Sequence, residues 1–235
     1  MQGVVPAAGE GTRLRPLTAD RPKGLVEVAG RPLLAHVFDA LVELEVQELL
    51  VIVGYRGDQL REHFGRAYDG VPVRYVEQAG PAGLARAVLA AEDHVDGDFV
   101  VLNGDNVVDA ALGRVVERHR AAAADATLLV DAVDPERAAE GGVLRFDEGE
   151  LAGVVEKPAD PPSTTVTRGF HVFSPAVFHA CHLVTPSPTG EYELSAAIDL
   201  LVHAGAPVET VRLEGQCVNV NTPDDIEAAE QLLKS

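Results

Sequence analysis

The sequence predicts an α/β domain built on a largely parallel sheet. Short runs dense in Val, Ile and Leu alternate with longer runs whose apolar residues recur every three or four positions. That rhythm belongs to strand–helix–strand units. Polar, glycine-containing turns follow two of the apolar runs directly, at Ala7-Ala8-Gly9-Glu10-Gly11 and at Leu102-Asn103-Gly104-Asp105. The carboxyl ends of parallel strands are where such sheets place ligands. With 235 residues, 46% of them hydrophobic, the chain can bury a full core.

Residues 3–7 read as the first strand. Leu33, Leu34, Val37, Phe38, Leu41 and Leu44 repeat at helical spacing, so residues 33–45 form a helix. Pro32 stands just before it, where a helix start tolerates proline. Residues 48–54 (ELLVIVG) are a buried strand and 58–64 a short helix. A strand at 71–76, a helix at 84–91 and a buried strand at 98–102 continue the alternation. Residues 110–123 read as a helix and 127–133 as a strand. Then the rhythm changes. Residues 143–146 and 151–156 are two short strands around a turn, and 158–162 a proline-rich loop. A strand at 169–173, helices at 175–181 and 193–204, strands at 208–213 and 216–220 and a helix at 223–233 complete the chain. No linker is long enough to divide it and no repeat is present, so residues 1–235 are expected to form a single domain with no added C-terminal one.

Nineteen basic residues face 37 acidic ones, a net charge of −18. Bulk electrostatics therefore exclude gathering on nucleic acid or an anionic membrane. No apolar run approaches the roughly 18 residues of a membrane span, and the first residues lack the basic region of a signal peptide. Cys181 and Cys217 cannot make a disulfide framework. A cytoplasmic protein is the expectation. Lys23, Lys157 and Lys234 are the only lysines, and this scarcity beside so many carboxylates suggests adaptation to high salt.

The glycine-rich turn after the first strand can bring backbone N–H groups close to phosphate. Leu14 stands where a dinucleotide fingerprint needs its third glycine, and Gly11 is followed by Thr12-Arg13 where a P-loop needs Lys-Ser/Thr, so neither motif is present. What remains is Gly9-x-Gly11 with Arg13 two residues on and Lys23 after Pro22. Arg13 offers a planar fork to phosphate oxygens and Lys23 a compact charge. These residues alone leave open an ordinary turn with two solvated cations.

The longer pattern narrows the choice. Gly9-x-Gly11-Thr12-Arg13-Leu14-x-Pro16-Leu17-Thr18 with Pro22-Lys23 resembles the signature of the sugar-1-phosphate nucleotidyltransferases, closest to the glucose-1-phosphate thymidylyl- and uridylyltransferases. The resemblance reaches the last helix. It implies a Rossmann-like, three-layer nucleotide-diphospho-sugar transferase fold whose central sheet is mixed but mostly parallel. Residues up to about 130 would bind nucleotide and those from about 131 sugar phosphate. Ala8, Gly9, Gly11, Thr12 and Arg13 would hold the triphosphate. Gln78 and Gly83, in Gln78-x-x-Pro81-Ala82-Gly83, would read the base, since a carboxamide both donates and accepts.

Asp105 in Asn103-Gly104-Asp105-Asn106 matches the family's metal-binding Gly-Asp, and a hard oxygen there suits Mg²⁺. The second metal aspartate of the family lies in a pattern like Trp-x-Asp-x-Gly-Thr-Pro. Here the segment reads Cys217-Val218-Asn219-Val220-Asn221-Thr222-Pro223, so Asn219 takes that place. Asp224 and Asp225 belong instead to the first turn of the closing helix, where carboxylates favour the dipole. Glu156-Lys157-Pro158 matches a Glu-Lys-Pro motif, with Glu156 on sugar hydroxyls and Lys157 on the sugar phosphate; Gly142 would line the same pocket. Gly141 stands where relatives carry an aromatic and His171 where Tyr is common. Gly190-Glu191-Tyr192-Glu193-Leu194 matches a further segment that shapes the sugar pocket or starts its helix. His179, Cys181 and His182 lack a second cluster to complete a zinc site.

The implied reaction joins a nucleoside triphosphate, dTTP or UTP, to a sugar 1-phosphate, glucose 1-phosphate by default, and releases pyrophosphate. Arg13, Lys23, Asp105 and Lys157 would carry it, with no nucleic-acid or membrane partner and a homo-oligomer left open. Asn219, Gly141 and His171 motivate the alternative of a sugar-nucleotide sensor without turnover. The charge pattern yields the first prediction. Thermal unfolding followed in KCl should show stability rising from dilute buffer into the molar range. A maximum in dilute buffer with loss in molar KCl would refute salt adaptation.

Overall fold

The computed structural model describes residues 1–78 and 83–234. The chain begins with β1 (Gln2–Ala7), the small hairpin β2 (Glu27–Val28) and β3 (Arg31–Pro32), and α1 (Leu33–Glu43). It continues through β4 (Leu49–Val53), α2 (Gly57–Phe64), β5 (Ala67–Tyr68), β6 (Val71–Glu77), α3 (Leu84–Leu89) and β7 (Phe99–Leu102). Then come β8 (Asn106–Ala110), α4 (Gly113–Ala122), β9 (Ala126–Ala132), α5 (Pro135–Ala138), β10 (Gly142–Asp147), β11 (Glu150–Glu156) and β12 (Thr165–Phe173). Last are α6 (Ala176–Leu183), α7 (Leu194–His203), β13 (Val208–Arg212), β14 (Gly215–Asn219) and α8 (Pro223–Leu232).

One half of the central sheet is parallel, in the order β7-β1-β4-β6. Its strands are fully apolar where both faces are covered: every residue of β4 and β7 is buried. Beyond β7 the sheet turns antiparallel through β12, β10 and β11. β9 also pairs with β12, and β13 lies parallel to β9. β10 and β11 are joined through Glu148 and Gly149, both at positive φ (49° and 90°). A two-residue loop with that geometry matches the twist of a hairpin.

Helices cover both faces, giving three layers. Leu34, Phe38 and Leu41 of α1, Leu60 of α2 and Val115 of α4 pack with Val51, Val100 and Phe170 on one face. Ala85 and Val88 of α3, Val177 and Phe178 of α6 and Ile198 of α7 pack with Phe99, Val101 and Phe173 on the other. A third, smaller cluster lies apart: Leu14, Val28, Leu33, Val107, Val220, Ala229 and Leu232. Among the described residues no helix is long and apolar enough to cross a membrane.

The structure corrects one predicted element. Residues 110–123 are not helical throughout: Asn106–Ala110 form strand β8, and α4 starts at Gly113. β8 pairs antiparallel with β14 in a two-stranded sheet of its own, Asn219 opposite Asn106. Its partner is distant in sequence, so nothing local distinguishes the strand from the alanine-rich helix that follows. β12 also runs longer than expected, with a register irregularity between Thr167 and His171.

His171 lies in β12 between Val101 and Leu128, only 4% exposed. Its Nδ1 has no hydrogen-bond partner, and burial pushes its pKa from 6.5 down to about 4. Below pH 6.5 the unfolded chain takes a proton that the native state refuses until about pH 4. The contribution to stability is full above pH 6.5 and is lost as pH falls towards 4, by roughly 3 kcal/mol for a shift of this size. His171→Phe should flatten that stretch of the stability–pH curve in urea unfolding. An unchanged acid loss in the variant would clear His171 of the effect.

Candidate active site

The carboxyl end of β1 opens into the Ala8–Gly11 loop. Gly11 has φ of 62°, in the left-handed region, and a Cβ there would meet Lys23 Cβ at 3.0 Å. Glycine therefore lets the loop turn flush against the Lys23 segment. The Gly11 carbonyl accepts from the Leu14 N–H (2.9 Å) and from Thr18 Oγ1 (2.8 Å). Thr18 is buried, so the far side of the loop is fixed, while nothing stands within 4 Å of a Cβ at Gly9. Arg13 follows on a short helical turn whose Leu14 is fully buried.

The turn after β7 meets this loop. The Gly104 N–H donates to Pro6 O at 3.0 Å, and a Cβ on Gly104 would stand only 2.6 Å from that oxygen. Asp105 is thereby delivered to the end of β1. Its Oδ2 pairs with Lys23 Nζ at 2.7 Å, the two side chains 26% and 13% exposed. The Asn106 carboxamide is satisfied with its NH₂ donating to Asp105 Oδ1 (3.0 Å) and its oxygen accepting from Gly169 N–H (3.3 Å). Val220 N–H donates to Asp105 O at 2.9 Å. This bond and the β8–β14 pairing set Asn219 beside the Asp105–Asn106 turn.

Asn221 is the residue that sequence reasoning missed here. Its Oδ1 accepts from Arg13 (2.8 Å) and from Lys23 Nζ (2.9 Å). Asp225, by contrast, serves the helix as expected. It takes the N–H groups of Asn221 and Thr222 and completes a capping box on α8. These bonds hold its carboxyl below the usual range against the opposing effect of burial.

A cleft of about 500 Å³ adjoins this cluster, lined by Ala8, Glu10, Gln78 and the turn Gly54–Asp58. Tyr55 and Arg56, which the sequence did not single out, form its wall, with Arg56 Nε donating to Tyr55 Oη at 2.9 Å. Gln78 Nε2 approaches Gly83 O at 3.4 Å. Pro81 and Ala82 of the same motif lie outside the described residues. Gly83 abuts the Tyr192 backbone, and the Ala85 N–H donates to Tyr192 O at 2.9 Å.

Tyr192 leads to the second group. Glu156 pairs in register with Gly142 across β10 and β11. Lys157 Nζ lies 3.2 Å from Glu156 Oε1 and is 55% exposed, and its N–H donates to Gly141 O at 2.9 Å. Burial, then the charge of Glu156, raises the carboxyl of Glu193 above its ordinary range. Lys157 thus pairs with its neighbour and does not reach Asp105. The zinc candidates lie together on α6 but face different surroundings: Cys181 is buried with its thiol pushed up to about 12, while His182 is exposed and pairs with Glu92 at 2.9 Å.

The nucleotidyl transferase family model matches residues 2–235. The chain belongs to that family. It is 50% identical over 235 residues to the UTP–glucose-1-phosphate uridylyltransferase AglF of Haloferax volcanii, spanning all of this chain and 97% of that protein. It is 34% identical to a glucose-1-phosphate thymidylyltransferase of Streptomyces griseus, over 99% of this chain and 66% of that protein. A crystal structure of UDP-glucose pyrophosphorylase complexed with UDP-glucose superimposes with a TM-score of 0.90 at 20% identity, covering 99% of this chain and 98% of that one. That likeness shows the Rossmann-like fold of the nucleotidyltransferases, with its mixed sheet.

The close approach of Gly104 to Pro6 generates a prediction for this nucleotidyltransferase. Gly104→Ala must push the Asp105 turn off β1, lowering the melting temperature and disrupting the Lys23–Asp105 pair. Calorimetry and a crystal structure of the variant check this; an unmoved turn would show that the contact is slack.

Proposed function

We propose that this nucleotidyltransferase transfers a nucleoside monophosphate from UTP or dTTP to a sugar 1-phosphate, glucose 1-phosphate first. The products are an NDP-sugar and pyrophosphate. The observation that carries the reading is the convergence of Arg13, Lys23 and Asp105, with Lys23 bonded directly to Asp105 at 2.7 Å and Arg13 and Lys23 linked through Asn221 at 2.8 and 2.9 Å. UTP is placed first because the uridylyltransferase relative matches over the full chain.

The nucleophile is an oxygen of the sugar phosphate, already largely ionised at neutral pH because its second pKa is about 6. No general base is required. As that oxygen bonds to the α-phosphorus, the bond from α-phosphorus to the bridging oxygen breaks and pyrophosphate leaves in line. The obstacle is repulsion between two polyanions, so positioning and charge neutralisation do the work. Backbone N–H groups of Gly9–Gly11 and the guanidinium of Arg13 hold the β- and γ-phosphates, and Arg13 stabilises the departing pyrophosphate. Lys23 meets the α-phosphate, and Lys157 draws in the sugar phosphate. Gln78 and Gly83 read the base at the cleft. Glu156 and Gly142 receive the sugar.

Mg²⁺ fits this donor set. Asp105 and Asn219, brought to neighbouring positions by the β8–β14 pairing, would offer two hard oxygens, the number Mg²⁺ takes beside phosphates and waters, once Lys23 turns from Asp105 to phosphate. When bound there it would supply charge neutralisation at the phosphates. Asn219 brings one negative charge fewer than an aspartate, so the pair should bind the ion weakly until the phosphates arrive. The sensor alternative is not favoured, since Arg13, Lys23 and Asp105 are all assembled and the relative matching over the full chain is named as an enzyme.

Pyrophosphate release from purified protein, offered each nucleoside triphosphate with several sugar 1-phosphates, tests the reading. Release dependent on both substrates is expected. Arg13→Ala and Asp105→Ala should each lower turnover by about 10²-fold or more, the scale of losing one electrostatic stabiliser. Near-wild-type turnover in either variant would remove that residue from the mechanism.

A further inference from the structure

Asn221 has no assigned part in the reaction, yet it sits between the two cations. One neutral oxygen accepts hydrogen bonds from both Arg13, at 2.8 Å, and Lys23, at 2.9 Å. Among the described residues it is the one side-chain partner of Arg13. The resembling pattern carries glycine at this position, which has no side chain to offer either cation.

The support beneath Asn221 is rigid. Its N–H donates to Asp225 Oδ2 at 2.9 Å, inside the capping box of α8. The preceding residue, Val220, is fully buried and bonded to Asp105 O. The amide oxygen is thus held by backbone and helix, and the two long, flexible cations are held by it.

Charge decides why an amide suits the place. Two cations drawn to one atom repel each other, and a carboxylate would relieve that repulsion best. It would also neutralise the pair and compete with phosphate for the same donors. A carboxamide oxygen fixes both side chains and leaves their charge available. Lys23 already meets one carboxylate, Asp105, and a second beside it would leave Arg13 and Lys23 together with no net charge.

We infer that Asn221 is a positioning residue that clamps Arg13 and Lys23 side by side, without adding a second carboxylate to the one Lys23 already meets, as a cradle for the triphosphate that keeps a net positive charge. This rests on the phosphate-binding roles given to Arg13 and Lys23 above.

The test compares Asn221→Asp and Asn221→Ala. Asp keeps the acceptor oxygen, the side-chain shape and the backbone cap, so a purely structural role predicts that it behaves as wild type. The clamp predicts the reverse. Asn221→Asp should keep or raise the melting temperature, yet raise KM for UTP and weaken binding of inorganic pyrophosphate by about tenfold or more, the scale of an electrostatic group at such a site. Asn221→Ala should lower kcat by about tenfold with a smaller change in KM, because the cations keep their charge and lose their orientation. Wild-type kinetics in Asn221→Asp, or in a folded Asn221→Ala, would overturn the inference. Should Ala fold poorly, Asp carries the test alone. Arg13→Ala separates the two levels. If it binds pyrophosphate as wild type does, the phosphate-site reading fails. If it is impaired while Asn221→Asp is not, only the clamp fails.

Discussion

The small apolar cluster of Leu14, Val28, Leu33, Val107, Val220, Ala229 and Leu232 is the constraint on which the site depends. It lies outside the two main cores, yet its members flank the polar residues that matter. Leu14 follows Arg13, Val107 stands two residues after Asp105, and Val220 separates Asn219 from Asn221. Leu14, Val107 and Val220 are each 0–1% exposed. Burying a side chain of that size is worth about 1.5–3 kcal/mol. That is enough to hold a loop that would otherwise keep its conformational freedom. Three segments far apart in sequence are therefore registered by packing before any charge interaction is counted. The hydrogen bonds among Arg13, Lys23, Asp105 and Asn221 form on a frame already in place.

This arrangement also requires the turns of the site to pack closely on one another. Gly11 and Gly104 stand where a side chain would collide with Lys23 or with Pro6. Each removes the standoff of a Cβ and lets one turn rest on the next. Loops positioned in this way keep their donors aimed without a ligand, which lowers the ordering cost of binding. The second group, Gly142, Glu156, Lys157 and Glu193, is built differently, from the edge hairpin of the sheet and the start of α7. It lies on separate supports, so its residues can change without disturbing the Arg13–Lys23–Asp105 cluster.

Most of the scaffold was legible because its signals are local. The 3–4 spacing of Leu33–Leu41, the unbroken apolar runs of β4 and β7 and the glycine-rich loop each depend on neighbours in the chain. What escaped depends on distant partners. Asn106–Ala110 becomes a strand only because Gly215–Asn219 lies beside it. Asn221 reads as an ordinary turn residue before Thr-Pro, and its role exists only once Arg13 and Lys23 arrive from about two hundred positions away. Tyr55 and Arg56 follow β4 with no motif of their own, and the wall they make appears only when the parallel strands align their carboxyl ends. His171 stands where Tyr is common in the resembling family, and its burial in β12 depends on β7 and β9, distant in sequence, closing on either side.

The chain's acidity bears on catalysis as well as on solubility. A net charge of −18 repels a triphosphate and a sugar phosphate alike in dilute buffer. At about 1 M salt the screening length shrinks to about 3 Å, so that long-range repulsion vanishes before the substrates reach the cleft. Contact interactions inside the site lie within that length and are partly shielded from solvent: Lys23 meets Asp105 at 2.7 Å with the lysine only 13% exposed. Exposed pairs such as Arg31–Asp39 lose most of their worth in such salt. A site whose geometry rests on apolar packing, backbone contact and a neutral clamp keeps its shape under the conditions in which surface charge stops mattering. In the proposed reaction, the same salt that silences the acidic surface would leave Arg13 and Lys23 as the charges a phosphate meets at contact range.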